Sequence, residues 1–554
     1  MASRLGGAGS HRARCLLGGA SMLFAAVTCA ATLPPSLESG AQQNNSLQQQ
    51  RRLQQSRKQP ALRGPVLVGP RPPGAASVAP GGPRFTLHKV EFSPSHFLSR
   101  ATLRQLAAPY LGRPITVADL YRLVDTVNAL YDRRELLTAR AVLPPQKIRH
   151  GTVRIRLVEG RVGQVLIQGH PYTRPSFILS RLPLRQGQVV DAPQLEQALE
   201  YFNRTNSLGL RAALRPGTSF GLSNVLLYAV EPPRYGLDLL LNNQGDDATG
   251  RNQIGLYGTV NGPLRLGDQA NVYVTKSSGA LNGNLSYQVP LDARGLSANV
   301  SVAYNHIHIV SGPYQALDIT GHSQTLQAGL TQPLLADDAW LLTAGLAYAR
   351  ISSQTSIAGS PLNDTTVKGP QLGFTAVYGR ARRQAQLTQT LMFSRSDNAL
   401  GQSLSYRLWQ GSLNASQGFG KAWAVSADAG WQFSSEQALP AAQLYQLGGT
   451  GTIPGYPLGV VSGYKGYFAG LALHRSLPWL HIDSRVFYDY GVVYASFPPR
   501  TTLASIGVGL DGALPRWGWL KPASWGVTLA HPLQSVTPTQ SSLRIELHLV
   551  VPLV

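Results

Sequence analysis

The chain has 554 residues, 14% of them charged, with a formal net charge of +22 from 49 Lys and Arg against 27 Asp and Glu. That length exceeds one ordinary domain, so several units are expected. The basic residues are scattered and form no nucleic-acid-binding motif, which argues against a nucleic-acid partner. Gly418-Phe419-Gly420-Lys421 lacks the spacing and the following Ser or Thr of a phosphate loop, so no nucleotide is expected either.

Residues 1–31 read as a secretory signal peptide. Arg4, Arg12 and Arg14 form a basic head, Leu16 to Val27 an apolar middle, and Thr28-Cys29-Ala30-Ala31 a small-residue cleavage site. Both cysteines, Cys15 and Cys29, lie in this segment. The processed chain is therefore expected to carry none, which excludes thiol catalysis, disulfide scaffolds and cysteine metal sites.

Residues 32–84 hold two low-complexity stretches. Gln42 to Gln59 is rich in Gln and Arg, with Arg51, Arg52, Arg57 and Lys58 among helix-friendly residues but almost no apolar face. A helix there needs an external site to hold it. Pro60 to Pro83 carries seven prolines among Gly and Ala and reads as an extended linker.

Residues 85–160 form a compact α/β unit. Phe85 to Phe92 alternates as a strand and Ser99 to Leu111 reads as a helix. A second helix opens at Thr116 with Asp119 in capping-box position and apolar residues at Leu120, Leu123, Val124, Val127 and Tyr131. Strands follow near Ala139 to Leu143 and Val153 to Val158. Residues 161–232 repeat the β-α-α-β-β order: Val165 to Gln168, Ser176 to Leu182, Pro193 to Thr205 with Leu195, Leu199 and Phe202 on one face, then Leu210 to Leu214 and Ser223 to Val230.

Residues 235–554 show short alternating runs broken by Gly, Asn, Asp and Pro. In Ala422 to Phe433, Trp423, Val425, Ala427, Ala429, Trp431 and Phe433 share one face, while Ser426, Asp428, Gly430 and Gln432 share the other. Similar runs occur at Leu296 to Tyr304, Leu342 to Tyr348, Ile482 to Tyr490 and Leu543 to Val551. No uninterrupted apolar stretch reaches the ~18 residues of a spanning helix. The pattern predicts a transmembrane antiparallel β-barrel of about 16 strands, apolar outside and wet within.

No catalytic constellation stands out, and no enzyme, cofactor or metal is expected. Gly217-Thr218-Ser219-Phe220-Gly221 matches a nucleophile-elbow string but lies between two strands, where a turn is the better reading. His306 and His308 share a strand face without a third ligand nearby. Asp246 and Asp247 read as turn chemistry.

The motifs, in order, resemble the ShlB/FhaC/HecB family of haemolysin secretion and activation proteins, two-partner-secretion transporters with two POTRA domains before a barrel. The first unit has Pro109-Tyr110-Leu111-Gly112, Asp119-Leu120, Tyr131, Leu143-Pro144-Pro145-Gln146 and Val158-Glu159-Gly160. The second has Leu195-Glu196, Leu214-Arg215-Pro216-Gly217 and Gly221-Leu222-Ser223. The barrel has Asn242-Asn243-Gln244-Gly245, Thr249-Gly250 and Ser286-Tyr287-Gln288-Val289-Pro290-Leu291.

The resemblance implies an outer-membrane protein of a Gram-negative bacterium with periplasmic POTRA domains, exporting a large exoprotein of haemolysin or adhesin type. Outer-membrane lipid or lipopolysaccharide would surround it, and the barrel-assembly machinery would insert it. It also implies a loop tip, here Ile453-Pro454-Gly455-Tyr456, folded into the lumen against the strand motif Phe487-Tyr488-Asp489-Tyr490-Gly491, with Arg485, Phe487 and Asp489 facing inward. Pro454 stands where the family has an Arg that would meet Asp489, so Lys465 or Arg485 is expected to substitute, or the lock is absent. Capture of the exoprotein is expected at the edge strand Ser223 to Val230 and a groove beside it lined by Leu195, Leu199, Phe202, Val225 and Leu227. The Gln-rich helix would plug the pore, its Arg51, Arg52, Arg57 and Lys58 meeting lumen carboxylates. The chain ends on Val554 where such barrels usually end on an aromatic. A barrel-assembly factor of the same superfamily and a porin-like channel are the alternative readings.

Overall fold

A computed structural model describes residues 33–56, 66–69, 83–169, 172–516, 521–538 and 540–554, without the side chains of 52–56. The expected signal peptide and most of the linker lie outside the described residues, as do Arg57, Lys58 and the side chain of Arg52. The N-terminal elements are α1 (Ser39–Ser56) and a two-residue strand β1 (Leu67–Val68).

The first α/β unit comprises β2 (Phe85–Thr86), β3 (Lys89–Phe92), α2 (Arg100–Ala107), β4 (Pro114–Ile115), α3 (Val117–Arg133), β5 (Ala139–Val142) and β6 (Thr152–Glu159). The expected first strand is thus two pieces, because Leu87 turns into the core while β2 pairs with β4 and β3 with β6. The Thr116 N–H donates to Asp119 Oδ2 at 2.8 Å, closing the expected capping box. That bond holds the Asp119 carboxyl below its usual range. Leu120, Leu123, Val127 and Tyr131 then bury against β5 and β6.

The second unit comprises β7 (Arg161–Gln168), α4 (Pro175–Leu179), α5 (Ala192–Thr205), β8 (Gly209–Pro216) and β9 (Leu222–Val230). Its sheet order is β1-β8-β9-β7. Gly217 to Gly221 is the turn between β8 and β9, closed by Gly217 N–H to Leu222 O at 2.8 Å.

Two sequence expectations are corrected here. Leu195, Leu199, Phe202, Val225 and Leu227 do not line a groove; each is at most 1% exposed, and together they form the unit's interior. Helical and strand periodicity both mark the face that must leave water, and in a two-layer unit the two faces meet each other. The strand Ser223 to Val230 is likewise no edge, since β9 lies between β8 and β7. The true edges are β7 and the far side of β8. The second is occupied by this chain's own linker, where Leu67 and Val68 pair in parallel with Ala212 and Ala213 and Leu67 enters the core.

The barrel comprises β10 (Tyr235–Asn242), β11 (Gln253–Asn261), β12 (Gln269–Lys276), β13 (Ala280–Pro290), β14 (Ser297–His308) and β15 (Ile319–Ala336). It continues with β16 (Trp340–Ile357), β17 (Ser360–Arg380), β18 (Arg383–Asn398), β19 (Ser403–Phe419) and β20 (Trp423–Ser434). Two short strands of the following loop, β21 (Tyr445–Leu447) and β22 (Val461–Gly463), form a separate hairpin. The wall is completed by β23 (Lys465–Leu477), β24 (Ile482–Tyr494), β25 (Thr501–Ala513), β26 (Ser524–Pro532) and β27 (Arg544–Pro552).

All sixteen wall strands are antiparallel neighbours, and β27 closes on β10 from Asp238↔Pro552 to Asn242↔His548. Alternate residues face outward as expected: Val486 and Tyr488 are exposed while Phe487 is buried inside. Trp340 packs on Tyr378 and Trp409 on Phe433 toward opposite rims of the outer face, as aromatic girdles do.

Substituting Phe202 by Ala should cost the second unit about 3–5 kcal/mol through the cavity left in its interior. Limited proteolysis should then clip between residues 161 and 232 while the barrel keeps its heat-modifiable migration. A fully protease-resistant variant would contradict an interior position.

Candidate functional site

The site lies inside the barrel, where three parts converge: the long loop between β20 and β23, the inner face of β24, and helix α1. The loop turns back into the lumen and buries its tip. Ile453 and Tyr456 are fully buried and pack with Leu447, Val493 and Leu503. The Tyr456 hydroxyl lies 2.9 Å from Ala504 O and 3.0 Å from Gln534 O, so the tip is fastened across β25 and the loop after β26. Gly455 adopts φ +93°, which a side chain would strain, and lies against the backbone of Ala530 and Pro532.

The strand motif explains how the tip fits. A Cβ on Gly491 would lie 2.7 Å from both Ile453 Cδ1 and Leu447 Cδ1, so the missing side chain is the socket for the loop. Phe487 lies over Gly507 and Asp489 over Gly470, each glycine leaving room for the larger inward group beside it. Pro454 and Asp489 both border one polar lumen cavity of about 490 Å3.

Neither expected substitute pairs with Asp489. Arg485 donates to Asp511 Oδ2 at 2.8 Å and to Thr528 Oγ1 at 2.9 Å. Lys465 lies over the Tyr494 ring, 4.9 Å from its centroid. Among the described residues no cation or donor lies within hydrogen-bonding distance of the Asp489 carboxylate. The tip is therefore held by apolar packing and the Tyr456 bonds, consistent with a proline that offers neither charge nor donor.

Helix α1 runs down the lumen from the far rim toward the α/β units. Its described contacts are made by amides and hydroxyls; of the four basic residues expected to meet lumen carboxylates, only Arg51 has a described side chain. Gln43 Oε1 accepts from Ser323 Oγ at 2.6 Å and Thr325 Oγ1 at 2.9 Å, and Gln50 donates to Asn284 Oδ1 at 2.9 Å. Asn45 donates to Gln446 Oε1 at 2.9 Å, and Gln446 donates back to Ala41 O at 3.2 Å, which ties the helix to the base of the tucked loop. At the top, Ser39 Oγ bonds His322 O and Gln354 O at 3.0 Å each. A Cβ on Gly40 would meet Ala442 of the loop and Ser353 of the wall at 2.8 Å, so helix, loop and wall touch there. Arg51 borders the 490 Å3 cavity and a second of about 580 Å3 that opens toward the α/β units. The 490 Å3 cavity that Arg51 borders also carries Asp428 and Asp489.

The second unit is fixed beneath this lumen by donors aimed at barrel turns. Arg181 bonds Asp292 O at 2.5 Å, Tyr201 bonds Arg294 O at 2.6 Å, and Arg204 bonds Asp337 O at 2.8 Å and also Asp338 O. Burial, together with Glu196, Asp338 and Asp337, pushes the neighbouring Glu200 carboxyl up. Two glutamates brace the units, Glu159 of the Val158-Glu159-Gly160 motif and Glu231, which the sequence reading did not single out. Glu159 takes the His96 N–H at 2.7 Å, and Glu231 takes the Tyr172 and Thr173 N–H groups at 2.6 and 3.0 Å. The signal was legible, since Val158-Glu159 and Val230-Glu231 end the two repeats alike.

Comparison with known proteins places this architecture. A family model described as haemolysin secretion/activation protein ShlB/FhaC/HecB matches residues 221–512, and one described as a ShlB-type POTRA domain matches residues 85–160. The heme/hemopexin transporter protein HuxB of Haemophilus influenzae is 24% identical over 446 residues, 74% of this chain and 77% of its own length. The outer membrane transporter CdiB of Escherichia coli is 27% identical over 548 residues, 88% of this chain and 89% of its own. The solved structure of CdiB from Escherichia coli superposes with a TM-score of 0.66 at 20% identity, covering 94% of this chain and 100% of that one. BamA from Haemophilus ducreyi lacking POTRA domains 1–3 gives 0.52 at 14% identity over 85% of this chain and 100% of that one, a likeness of fold.

Gly491→Leu should expel the loop tip from its socket. A bulky membrane-impermeant maleimide should then label Thr452→Cys in intact cells at least tenfold faster than in the Gly491 background. Equal labelling in both backgrounds would contradict the socket.

Proposed function

Because the chain belongs to the haemolysin secretion/activation family ShlB/FhaC/HecB, and so is a two-partner-secretion transporter of the outer membrane, we propose that it captures one large exoprotein in the periplasm and passes it, extended, through the barrel to the surface. The observation that carries this reading is the filling of the lumen. A sixteen-stranded wall encloses far more space than its own side chains fill. Beside the tucked loop, that space holds a helix bound through groups that water or a passing chain can replace. A hydrogen bond exchanged in this way contributes only about 0.5–1.5 kcal/mol net, so α1 can leave and return. An extended polypeptide offers the wall the same amides that α1 does.

Capture is assigned to β7, the open edge of the second POTRA sheet. Leu166 on it is 51% exposed, and an edge strand presents unpaired backbone groups to a partner strand. The opposite edge carries the linker strand β1, which leads back toward the plug. Forward motion is supplied by folding of the exoprotein outside the cell.

In cells lacking this chain, a co-encoded exoprotein should disappear from the medium and accumulate in the periplasm. Gln164→Cys should form a disulfide with a cysteine scanned through the exoprotein's N-terminal segment. Normal export without the chain would contradict the transport reading, and no cross-link at any scanned position would remove β7 as the capture edge.

A further inference from the structure

Helix α1 has almost no apolar surface of its own, yet the turn just before it does. Residues Pro35–Leu37 form one turn of 3-10 helix ahead of Ser39. Leu33 and Leu37 are 7% and 6% exposed. They pack against Ile309 and Ile319, with Ala248, Tyr314 and Ile357 around them. These are residues of the far rim, at the outer ends of the wall strands and in the loops between them.

The loops that form the pocket are tied to one another by backbone bonds that do not involve the leucines. The loop after β10 and the loop after β14 are joined by Val310 N–H to Ala248 O at 2.9 Å, and Ile309 N–H bonds Ile319 O at 2.9 Å. A further bond, Gly279 N–H to Thr249 O at 2.8 Å, ties in the turn after β12. The inserted segment is stiff as well, because Pro34 and Pro35 restrict its backbone. It is coupled to the helix by Gln42 Nε2, which donates to Ser36 O at 3.2 Å.

We infer that this far-rim pocket is a receptor for the chain's own residues 33–37, and that it, rather than the Gln-rich helix, sets how firmly the pore is closed. The inference rests on the reading of α1 as a plug. Its physical basis is a difference in reversibility. When α1 leaves, each lumen amide and hydroxyl regains a partner from water, so those bonds nearly cancel. Two leucines drawn from an apolar pocket into water have no such replacement, and their transfer shifts the equilibrium by roughly a hundredfold or more.

The test is open-pore occupancy of the purified full chain in planar bilayers, with heat-modifiable migration confirming a folded barrel in every case. Leu33→Ser with Leu37→Ser should raise open occupancy roughly a hundredfold over wild type. Ile319→Ser, on the receptor side, should raise it in the same direction, and Leu37→Met should leave it near wild type. The reference is a chain lacking residues 39–56, which should be open throughout. If that deletion opens the pore while the leucine and Ile319 variants stay as closed as wild type, the receptor is overturned and the plug stands. If the deletion itself leaves occupancy unchanged, the plug reading falls and takes the receptor with it.

Discussion

A wall exposed to lipid cannot leave a backbone N–H or C=O unpaired, and this constraint fixes everything else in the molecule. It requires the sheet to close on itself, here through β10 and β27. Closure at sixteen strands produces a lumen too wide for wall side chains to fill. Two segments from outside the wall occupy that space, a helix placed before the α/β units and a loop placed between two late strands, and the proposed transport requires the helix to leave.

These two segments are held differently, and the difference follows from composition. The loop tip is fastened by burial, with Ile453 and Tyr456 wholly enclosed and Gly491 shaped to receive them. The helix is held by exchangeable amides along its length. Asn45 and Gln446 join the two, so displacement of the helix removes a support from the base of the loop. The strand motif around Asp489 acts first as a matter of shape. Its glycine makes room for the tip, and the tip stays seated although Pro454 provides no charge for the carboxylate.

Much of this was legible in the sequence. Strict alternation along runs such as Val486, Tyr488 and Tyr490 gave the lipid face, and helical periodicity with the Thr116–Asp119 box gave α3. The inward positions of Phe487 and Asp489 were implied by the resemblance, and strand parity agreed with them. What failed was inference about neighbours. Leu195, Leu199 and Phe202 were rightly seen as one apolar face, but periodicity cannot tell a face that meets another layer from one that meets a ligand. The placement of β9 within its sheet depends on pairing with β7 about 60 residues earlier, such as Arg161↔Leu222, and the docking of Leu67 on β8 on the still more distant Leu67↔Ala212 pair. Of the basic residues expected to meet carboxylates, Arg52, Arg57 and Lys58 have no described side chain, and the described bonds of α1 run instead through Gln43, Asn45 and Gln50.

The account as a whole stands on α1 leaving the lumen during transport. Ser39 and Ser353 face each other with hydroxyl oxygens 3.1 Å apart, so cysteines at both positions can form a disulfide that pins the helix to the wall. Export of the exoprotein by Ser39→Cys with Ser353→Cys should stop under oxidising conditions and recover on adding reductant, while either single variant exports normally throughout. Undiminished export with the disulfide fully formed would mean that the chain crosses the barrel beside a stationary helix, and would contradict this account.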